Sequence, residues 1–438
     1  MTSCKKDWLD AKSNKKQAVP QTLDDFQYLL NSSFTMNYYA PGLGEVASDG
    51  HYIPDVYWSA ATDKAKNAYT WTHKFPYLNI DDWIQTYTGR VFTSNLILEG
   101  LNKVSKSTNP SYWNDIKGQC LFHRADAFFD LAQIWGPQYK VSTSSSDLSI
   151  PLILTSDITV PSVRSTIKQT YDQTIGDLNE AATLLPDIGL YKTRPSKTSV
   201  FALLERIYLV MGNFDSALVY SDKTLHLYNK LIDYNTLSTT QSYIGVLNDE
   251  VIFHKALANG GLAATLGARS RIDTALYSLY STNDLRKAIF FRVNGDNSVS
   301  FKGNYTSGSD LFGGLATDEI YLIRSECYAR KGDKASAMQD LNTLLAARWK
   351  TGTFTPFTAI DASDALKKVL LERKKELLFR GLRWTDMRRL NSDPNFSTTI
   401  TRIAGGQTYT LAPNSFQYTF PIPDDIIKLS GIQQNPGW

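Results

Sequence analysis

Residues 49–83 combine aromatic rings with short polar side chains. The rings are Tyr52, Tyr57, Trp58, Tyr69, Trp71, Phe75, Tyr77 and Trp83, and Asp49, Asp55 and Asn67 lie among them. Flat rings stack against the apolar C–H faces of a sugar, while carboxylates and amides hydrogen-bond its hydroxyl groups. We therefore predict a sugar-binding surface whose contact residues are Asp49, Tyr52, Tyr57, Trp58, Asn67, Tyr69 and Trp71. The alternative is that these rings, like Phe75 and Trp83, only anchor the loops to the rest of the fold.

Known catalytic patterns are missing from the sequence. It contains no HExxH, Walker or GxSxG motif, and its five histidines, at positions 51, 73, 123, 226 and 254, have no metal-ligand spacing. Asp24 with Asp25, and Asp81 with Asp82, each precede an apolar helical run. Thr22 and Asp25 have the spacing of a capping box, so helix capping explains these acids better than hydrolysis does. We predict no enzymatic activity, no metal site and no cofactor.

The three cysteines have different surroundings. Cys120 and Cys327 lie in apolar helical patterns and are predicted to be small buried hydrophobic residues. The odd count and wide spacing fit neither a disulfide framework nor a structural zinc site. Cys4 lies outside any periodic segment and follows Thr2 and Ser3, which suits lipid attachment. We predict lipidation at Cys4, and we expect an export signal peptide to be removed ahead of it.

The charge balance argues against a polyanionic partner. The 438 residues include 46 Lys and Arg against 43 Asp and Glu, a net charge of +3, so bulk nucleic-acid binding is not expected. No apolar run reaches the roughly 18 residues of a membrane span. Aromatic residues make up 12%, with 24 Tyr and 9 Trp, and amphipathic rings in this number suit a wet binding surface.

The densest run of charge lies at residues 372–389. One interpretation is a nucleic-acid patch. However, Glu376 precedes Arg380 by four residues, which is the favourable order for a helical ion pair, and Leu377, Leu378 and Trp384 supply an apolar face. We interpret this run as a structural helix whose charges are solvated or paired.

From about residue 111 the apolar residues recur with a helical period. One helix is predicted over 113–131, a second over 167–185, a third over 200–211 and a fourth over 217–228. Gly212 closes the third helix, and residues 213–215 turn the chain. The third and fourth helices therefore form a predicted helical hairpin.

The same hairpin recurs 120 residues later. Gly212 aligns with Gly332 and Ala217 with Ala337. Glycine supplies a left-handed turn and alanine lets two helices approach closely, as in tetratricopeptide repeats. The repeats are not contiguous at the period of about 34 residues. A few hairpins forming one scaffold are therefore expected, not a regular superhelical array.

Long irregular segments interrupt this scaffold. Residues 31–82, 232–315 and 391–438 are rich in Gly, Pro, Asn, Ser and Tyr, with strand-like runs at 251–253 and 418–420. Binding function commonly lies on such loops. The predicted fold class is mainly α: tetratricopeptide-like hairpins in one scaffold, with long loop insertions and a few short strands. We predict a tether at 1–21 and a single domain at 22–438, with ligand-binding loops at about 31–82 and 232–315.

Landmarks along the whole chain resemble the RagB/SusD-like nutrient-uptake outer-membrane lipoproteins. In the first half they are residues 4–10 (CKKDWLD), 83–87 (WIQTY) leading to Asn95, 124–131 (RADAFFDL) with 135–136 (WG), and 164–166 (RST) leading to Tyr171 and 177–178 (DL). The second half adds 372–376 (ERKKE), 380–389 (RGLRWTDMRR), 420–423 (FPIP) and 434–438 (QNPGW). Arg380 departs from the family, which often has an acidic residue there, and this puts one ion pair in doubt.

The resemblance implies a surface-exposed lipoprotein of the outer membrane that captures an oligosaccharide. It also implies a partner, a SusC-like TonB-dependent transporter, to which the ligand is delivered, and no catalysis. Ligand residues of the family follow no fixed motif, so the site candidates above rest on the chemistry of the aromatic cluster.

Three alternatives remain open at this point. The ligand of the same type of complex could be a peptide or another nutrient. A tetratricopeptide adaptor would instead recognise only protein through its concave groove. A glycoside hydrolase would require two carboxylates roughly 5 to 9.5 Å apart across one cleft.

Overall fold

A computed structural model describes residues 20–72, 82–258, 269–308 and 310–438. The helices of the first half are α1 (Leu23–Leu30), α2 (Ser33–Met36), α3 (Leu43–Ala47), α4 (Asp55–Ser59), α5 (Asp63–Thr70), α6 (Asp82–Gln85), α7 (Phe92–Leu101), α8 (Pro110–Trp135), α9 (Ile167–Leu184), α10 (Lys197–Met211) and α11 (Phe214–Leu227). Those of the second half are α12 (Thr274–Ser278), α13 (Arg286–Phe290), α14 (Thr317–Arg330), α15 (Lys334–Ala346), α16 (Ala362–Glu376), α17 (Arg383–Leu390) and α18 (Asp424–Ser430). A π-helical segment, Thr86–Val91, joins α6 to α7.

The strands are short and form antiparallel pairs. These are β1 (His51–Tyr52) with β5 (Arg271–Ile272), β2 (Leu148–Pro151) with β3 (Arg164–Thr166), β4 (Val251–Phe253) with β8 (Leu315–Ala316), β6 (Phe291–Val293) with β7 (Val299–Phe301), and β9 (Ile400–Ala404) with β10 (Gln407–Leu411). The strand expected at 251–253 is confirmed as β4. The one expected at 418–420 is wrong, because residues Phe416–Tyr418 form a turn of 3₁₀ helix.

Both predicted hairpins are confirmed, and they share their turn chemistry. Gly212 after α10 has φ +74°, and Gly332 after α14 has φ +86°. The Oδ1 atoms of Asn213 and Asp333 each accept a hydrogen bond, both 3.0 Å, from the backbone N–H three residues further on. A left-handed glycine followed by an N-capping side chain lets one helix end and the next begin within three residues. The fold is therefore the predicted helical scaffold with loop insertions.

Helix α8 connects the main apolar clusters of the molecule. Ile116 and Cys120 pack with α1 and α7, and Phe122 packs with α9, α10 and α14. Phe128 and Trp135 face the loop-rich part that contains α3, α5 and the β1–β5 pair. Cys120 and Cys327 are both fully buried, as predicted.

Except for Arg388, the charged side chains of residues 372–389 form ion pairs within the protein. Arg373 Nε lies 2.8 Å from Asp386, Arg389 Nη1 lies 2.6 Å from Glu326, and Glu376 contacts two buried arginines. This confirms a structural role for the run. The predicted helical pair between Glu376 and Arg380 is wrong, because α16 ends at Glu376. Arg380 instead reaches Asp318, 2.9 Å away.

Two smaller predictions concern the acidic pairs. Thr22 and Asp25 form the expected capping box, with reciprocal hydrogen bonds of 3.2 and 3.0 Å. Asp82 begins α6, but its buried carboxylate also accepts a 2.9 Å hydrogen bond from the backbone N–H of Gly42. Asp82 thus holds two segments together, while Asp81 lies outside the described residues. Cys4 and most of the predicted tether, residues 1–21, also lie outside them, so the domain division stays a prediction.

Candidate ligand-binding surface

Two loop segments predicted to bind ligand meet at one edge of the protein. Strand β1 pairs with β5, so that Tyr52 lies opposite Arg271 although more than two hundred residues separate them. The hairpin β9–β10 also reaches this region, because the backbone N–H of Gly405, in its turn, lies 3.4 Å from Asp55 Oδ1. Strand pairing between segments far apart in sequence therefore brings these irregular segments to one surface.

Three of the predicted rings reach this surface. Tyr52 is 39% exposed, and Tyr57 and Trp58, on α4, are half-buried with one side against the large core cluster. The Arg271 guanidinium lies 5.2 Å from the Tyr57 ring centre. We call Tyr52, Tyr57 and Trp58 the aromatic platform. The core supports the Tyr57 and Trp58 rings, and all three rings keep some exposure to solvent, as stacking requires.

Arg271, which is only 8% exposed, is a neighbour of the platform that the sequence did not reveal. Its Nε donates to Ser298 Oγ at 2.8 Å, its Nη1 to the Ser270 carbonyl at 2.9 Å, and its Nη2 approaches the Tyr57 hydroxyl at 3.5 Å. These contacts orient the guanidinium beside the platform. The sequence signal was only that Arg271 lies in the second predicted ligand-binding loop.

Tyr69 and Trp71 lie in the core, not on the platform. They are 1% and 2% exposed. The Tyr69 hydroxyl accepts a 3.2 Å hydrogen bond from the Ile53 N–H, and Trp71 Nε1 donates to the Ala47 carbonyl at 3.0 Å. The Arg402 guanidinium lies 3.8 Å from the Tyr69 ring centre and 4.6 Å from that of Trp71. Because their faces are covered, neither ring is available for stacking with a ligand outside.

Asp49 and Asn67, the two polar residues predicted to contact the ligand, are instead bonded to other residues of the protein. Asp49 accepts hydrogen bonds from Arg383, at 2.6 and 2.9 Å, and from Lys374 at 2.8 Å. Burial acts to raise the carboxyl pKa of Asp49, but Arg383 and then Lys374 outweigh it and hold the pKa well below its ordinary range. Asn67 Oδ1 accepts from Thr72 Oγ1 at 3.1 Å at the end of α5. Both residues support the loops beneath the platform.

The cavity beside Asp49 is too small for a sugar, and no platform residue lines it. The cavity beside Asp49 has a volume of about 10 Å³, which is on the order of one water molecule. Phe75 and Tyr77, the remaining rings of the cluster, lie outside the described residues. Trp83 is an anchor, buried edge-on against Trp135 with ring centres 5.1 Å apart.

The described part of the chain holds no arrangement of three His, Cys, Asp or Glu side chains suited to a metal ion. His51, the histidine nearest the platform, is buried between Tyr69 and Phe379. Burial, followed by the nearby Arg402 charge, lowers the pKa of His51 to about 3. Its imidazole is therefore neutral at physiological pH and out of contact with solvent.

Comparison with known families gives two matches. Residues 7–209 match a SusD-like family model described as starch-binding and associating with the outer membrane, and residues 317–438 match the SusD family model. The described helices include none with the length and apolarity needed to cross a membrane.

Individual relatives agree with these family matches. A SusD-like protein P2 of Formosa agariphila is 22% identical over 422 residues, which covers 81% of this chain and 80% of that protein. A solved putative sugar binding protein of Bacteroides vulgatus has a TM-score of 0.77 at 22% identity, covering 96% of this chain and all of that one. A SusD superfamily protein of Bacteroides thetaiotaomicron has a TM-score of 0.78 at 20% identity, covering 95% and 100%.

The sequence landmarks, the fold and the matches agree along the chain. The landmarks begin at Cys4 and end at Trp438, and the two family models cover most of both halves. The solved structures share the arrangement of a helical scaffold with long loops. The chain therefore belongs to the SusD/RagB-like family.

Proposed function

We propose that this protein is a surface-exposed, non-enzymatic lipoprotein that captures an oligosaccharide on the aromatic platform. The observation that carries the proposal is that Tyr52 and Tyr57 both lie beside Arg271, with the half-buried Trp58 next to Tyr57 on α4. Ring faces bind the C–H faces of a sugar, and the Arg271 guanidinium, over the Tyr57 ring, holds that ring in place. Starch and sugar binding, which the family model and the Bacteroides vulgatus relative name, support this class of ligand.

A platform with several partly exposed rings favours a chain over a single free sugar. Each stacked ring contributes only about 0.5–1.5 kcal/mol beyond the area it buries. Several rings along one surface therefore bind successive units of an oligosaccharide more strongly than one unit. We expect affinity to increase with oligosaccharide length until the platform is covered.

The platform is tested by removing single rings and measuring affinity. Tyr57→Ala and Trp58→Ala are expected to weaken the binding of a glycan, chosen from an array, by roughly three- to tenfold each in calorimetry, because each loses one stacking contact. Tyr28→Ala is the matched control, since Tyr28 is an exposed ring on α1, away from the platform. Unchanged affinity in both platform variants would refute this site.

Trp71→Ala tests whether Trp71 belongs to the core and not to the platform. Because Trp71 is buried, its truncation is expected to lower the free energy of unfolding by about 3–5 kcal/mol, measured by chemical denaturation.

Competition between peptide and glycan libraries tests the alternative that the ligand is a peptide. Displacement by peptides, but not by glycans, would replace the sugar with a peptide ligand on the same surface.

We further propose that Cys4 is acylated and that the captured glycan passes to a SusC-like TonB-dependent transporter. A single acyl chain binds membranes only marginally, so stable anchoring implies a multiply acylated cysteine. Purification from outer membranes with a tag on this protein is expected to recover a barrel transporter, and Cys4→Ser is expected to release the protein from the membrane fraction. Recovery of the Cys4→Ser protein in the membrane fraction at the normal level would contradict the anchor.

A further inference from the structure

A second cleft lies apart from the platform, on the scaffold side of the molecule. Two adjoining cavities of about 250 and 410 Å³ lie between the end of α17, the turn after α10 and the loop after α8. They share Gln138, Lys140, Arg388 and Asn414 as lining residues. We call their combined space the α17 cleft. Its size falls in the range of small-molecule sites, and no platform residue lines it.

Three residues that line the α17 cleft each carry a buried polar atom with no hydrogen-bond partner in the described part of the protein. They are Gln138 Oε1, Thr143 Oγ1 and Arg388 Nε. Gln138 Nε2 already donates to the Val210 carbonyl at 3.0 Å, so reversing the amide would only exchange one unsatisfied atom for another. A buried polar atom without a partner costs about 1–3 kcal/mol, and native proteins contain few of them.

Arg388 is the most deeply buried of these three residues. It is 3% exposed, and its two terminal nitrogens donate to the carbonyls of Gln133 and Gly136. Those bonds fix the guanidinium plane, and Nε remains as an unused donor. Since Arg388 lines both cavities, a ligand oxygen in the α17 cleft is a suitable acceptor for it.

The three atoms differ in what they need. Gln138 Oε1 requires a donor, Arg388 Nε requires an acceptor, and Thr143 Oγ1 serves as either. A sulfate offers no donor to Gln138, and an ammonium group offers no acceptor to Arg388. Hydroxyl groups both donate and accept, so a polyhydroxylated ring carries the kinds of group that all three atoms require.

The α17 cleft also provides a ring for stacking. Phe416 lines the smaller cavity and is 43% exposed. The ring of the terminal Trp438 holds it edge-on, with ring centres 5.1 Å apart. An aromatic face beside unsatisfied polar atoms is the same combination of contacts that suits a sugar on the platform.

We propose that the α17 cleft is a second saccharide site, which takes one hydroxylated sugar ring between Phe416 and the Gln138, Thr143 and Arg388 side chains. The inference goes beyond capture on the platform, and it rests on a different set of residues. Either site can therefore fail while the other stands.

The test uses the full-length protein and four free monosaccharides: D-glucose, D-galactose, D-mannose and D-xylose. At least one is expected to bind with a dissociation constant of roughly 1 mM or tighter in calorimetry and saturation-transfer NMR. Thr143→Val keeps the side-chain shape but removes the hydroxyl, and Phe416→Ala removes an exposed ring. Each is expected to weaken binding about three- to tenfold, and both are expected to fold.

The control is the double variant Tyr57→Ala, Trp58→Ala, which should leave monosaccharide binding in the α17 cleft unchanged. No binding by any of the four sugars would overturn the proposal. Binding that both cleft variants leave intact, or that the platform variant abolishes, would also overturn it. A crystal soaked with the sugar that shows only water beside Arg388 Nε would likewise assign the α17 cleft to solvent.

Discussion

Glu45 is a buried carboxyl group at the base of the loops that hold the platform. Its Oε2 accepts a 2.7 Å hydrogen bond from the Gly381 N–H, and Ser48 Oγ lies 3.3 Å from its Oε1. Burial raises the pKa of Glu45 to about 7. The hydrogen bonds from Gly381 and Ser48 oppose that shift. The Asp49 charge raises the pKa further, and the Arg383 charge lowers it. Because the ordinary pKa is 4.5, the folded protein binds more protons here than the unfolded chain between pH 4.5 and 7.

Because of this difference, the ionisation of Glu45 lowers the free energy of unfolding progressively as pH rises from 4.5 to 7. Stability falls with increasing pH wherever the folded state binds more protons. Glu45→Gln stays neutral and keeps an acceptor for Gly381. We expect it to raise the free energy of unfolding by about 1–3 kcal/mol more at pH 8 than at pH 5, measured by urea denaturation.

Glu180→Gln serves as the control for Glu45→Gln, since Glu180 is an exposed carboxylate on α9. It should change stability by the same small amount at both pH values. An equal effect of Glu45→Gln at pH 5 and pH 8 would show that Glu45 titrates normally.

Residue types alone could not separate the rings that face solvent from those that pack inside. Trp58 and Trp71 lie thirteen positions apart in one irregular segment, and nothing local distinguishes them. Trp71 is buried because Ala47 and Arg402, distant in sequence, close around it. Burial at this scale is decided by long-range contacts.

At the scale of elements, the two hairpins depend on their left-handed glycines. A Cβ atom at Gly212 or Gly332 would meet no other atom within 4 Å. Alanine at either position would therefore destabilise the protein only because its backbone disfavours a positive φ. Gly212→Ala and Gly332→Ala are each expected to lower the free energy of unfolding by about 1–2 kcal/mol.

Gly176→Ala is the matched control for the hairpin glycines. Gly176 lies inside α9, also in open space but without positive φ. Alanine there is expected to stabilise the protein by about 0.5–1 kcal/mol, because it favours the helix. Equal effects of the three substitutions in chemical denaturation would mean that backbone conformation at the hairpin turns does not matter.

The hairpins could be predicted from sequence because their signals are local. Apolar periodicity and the glycine turn act within a few residues. The predicted pair of Glu376 with Arg380 failed because it assumed that α16 continues. The positive φ of Phe379, +57°, and of Gly381, +74°, turns the chain after α16, and Glu376 contacts Arg286 and Arg348 from other elements.

At the scale of the whole molecule, buried ion pairs join the scaffold to the long insertion. Arg348, after α15, lies 2.7 Å from both Glu250 and Glu376, and its guanidinium stacks 4.1 Å from the Tyr234 ring centre. Arg348→Met would leave two buried carboxylates without this partner. We expect it to lower the free energy of unfolding by about 3–5 kcal/mol.

Lys331→Met is the control for Arg348→Met, because Lys331 pairs with Asp215 on the exposed face of the hairpins. Its effect should stay below about 1 kcal/mol. Urea denaturation followed by circular dichroism measures both variants. A similar small effect of the two substitutions would show that the buried pairs do not hold the insertion to the scaffold.

The sequence by itself determined the helical hairpins, the buried cysteines and the family, because periodicity, turn glycines and ordered landmarks can be read along the chain. Only the tertiary structure decided which aromatic rings form the platform, that Asp49 belongs to an ion pair, and that Arg271 lies beside Tyr57. It also brought Gln138, Thr143, Arg388 and Phe416 to one cleft. Such sites depend on segments far apart in sequence, and their geometry exists only after strands pair and helices pack.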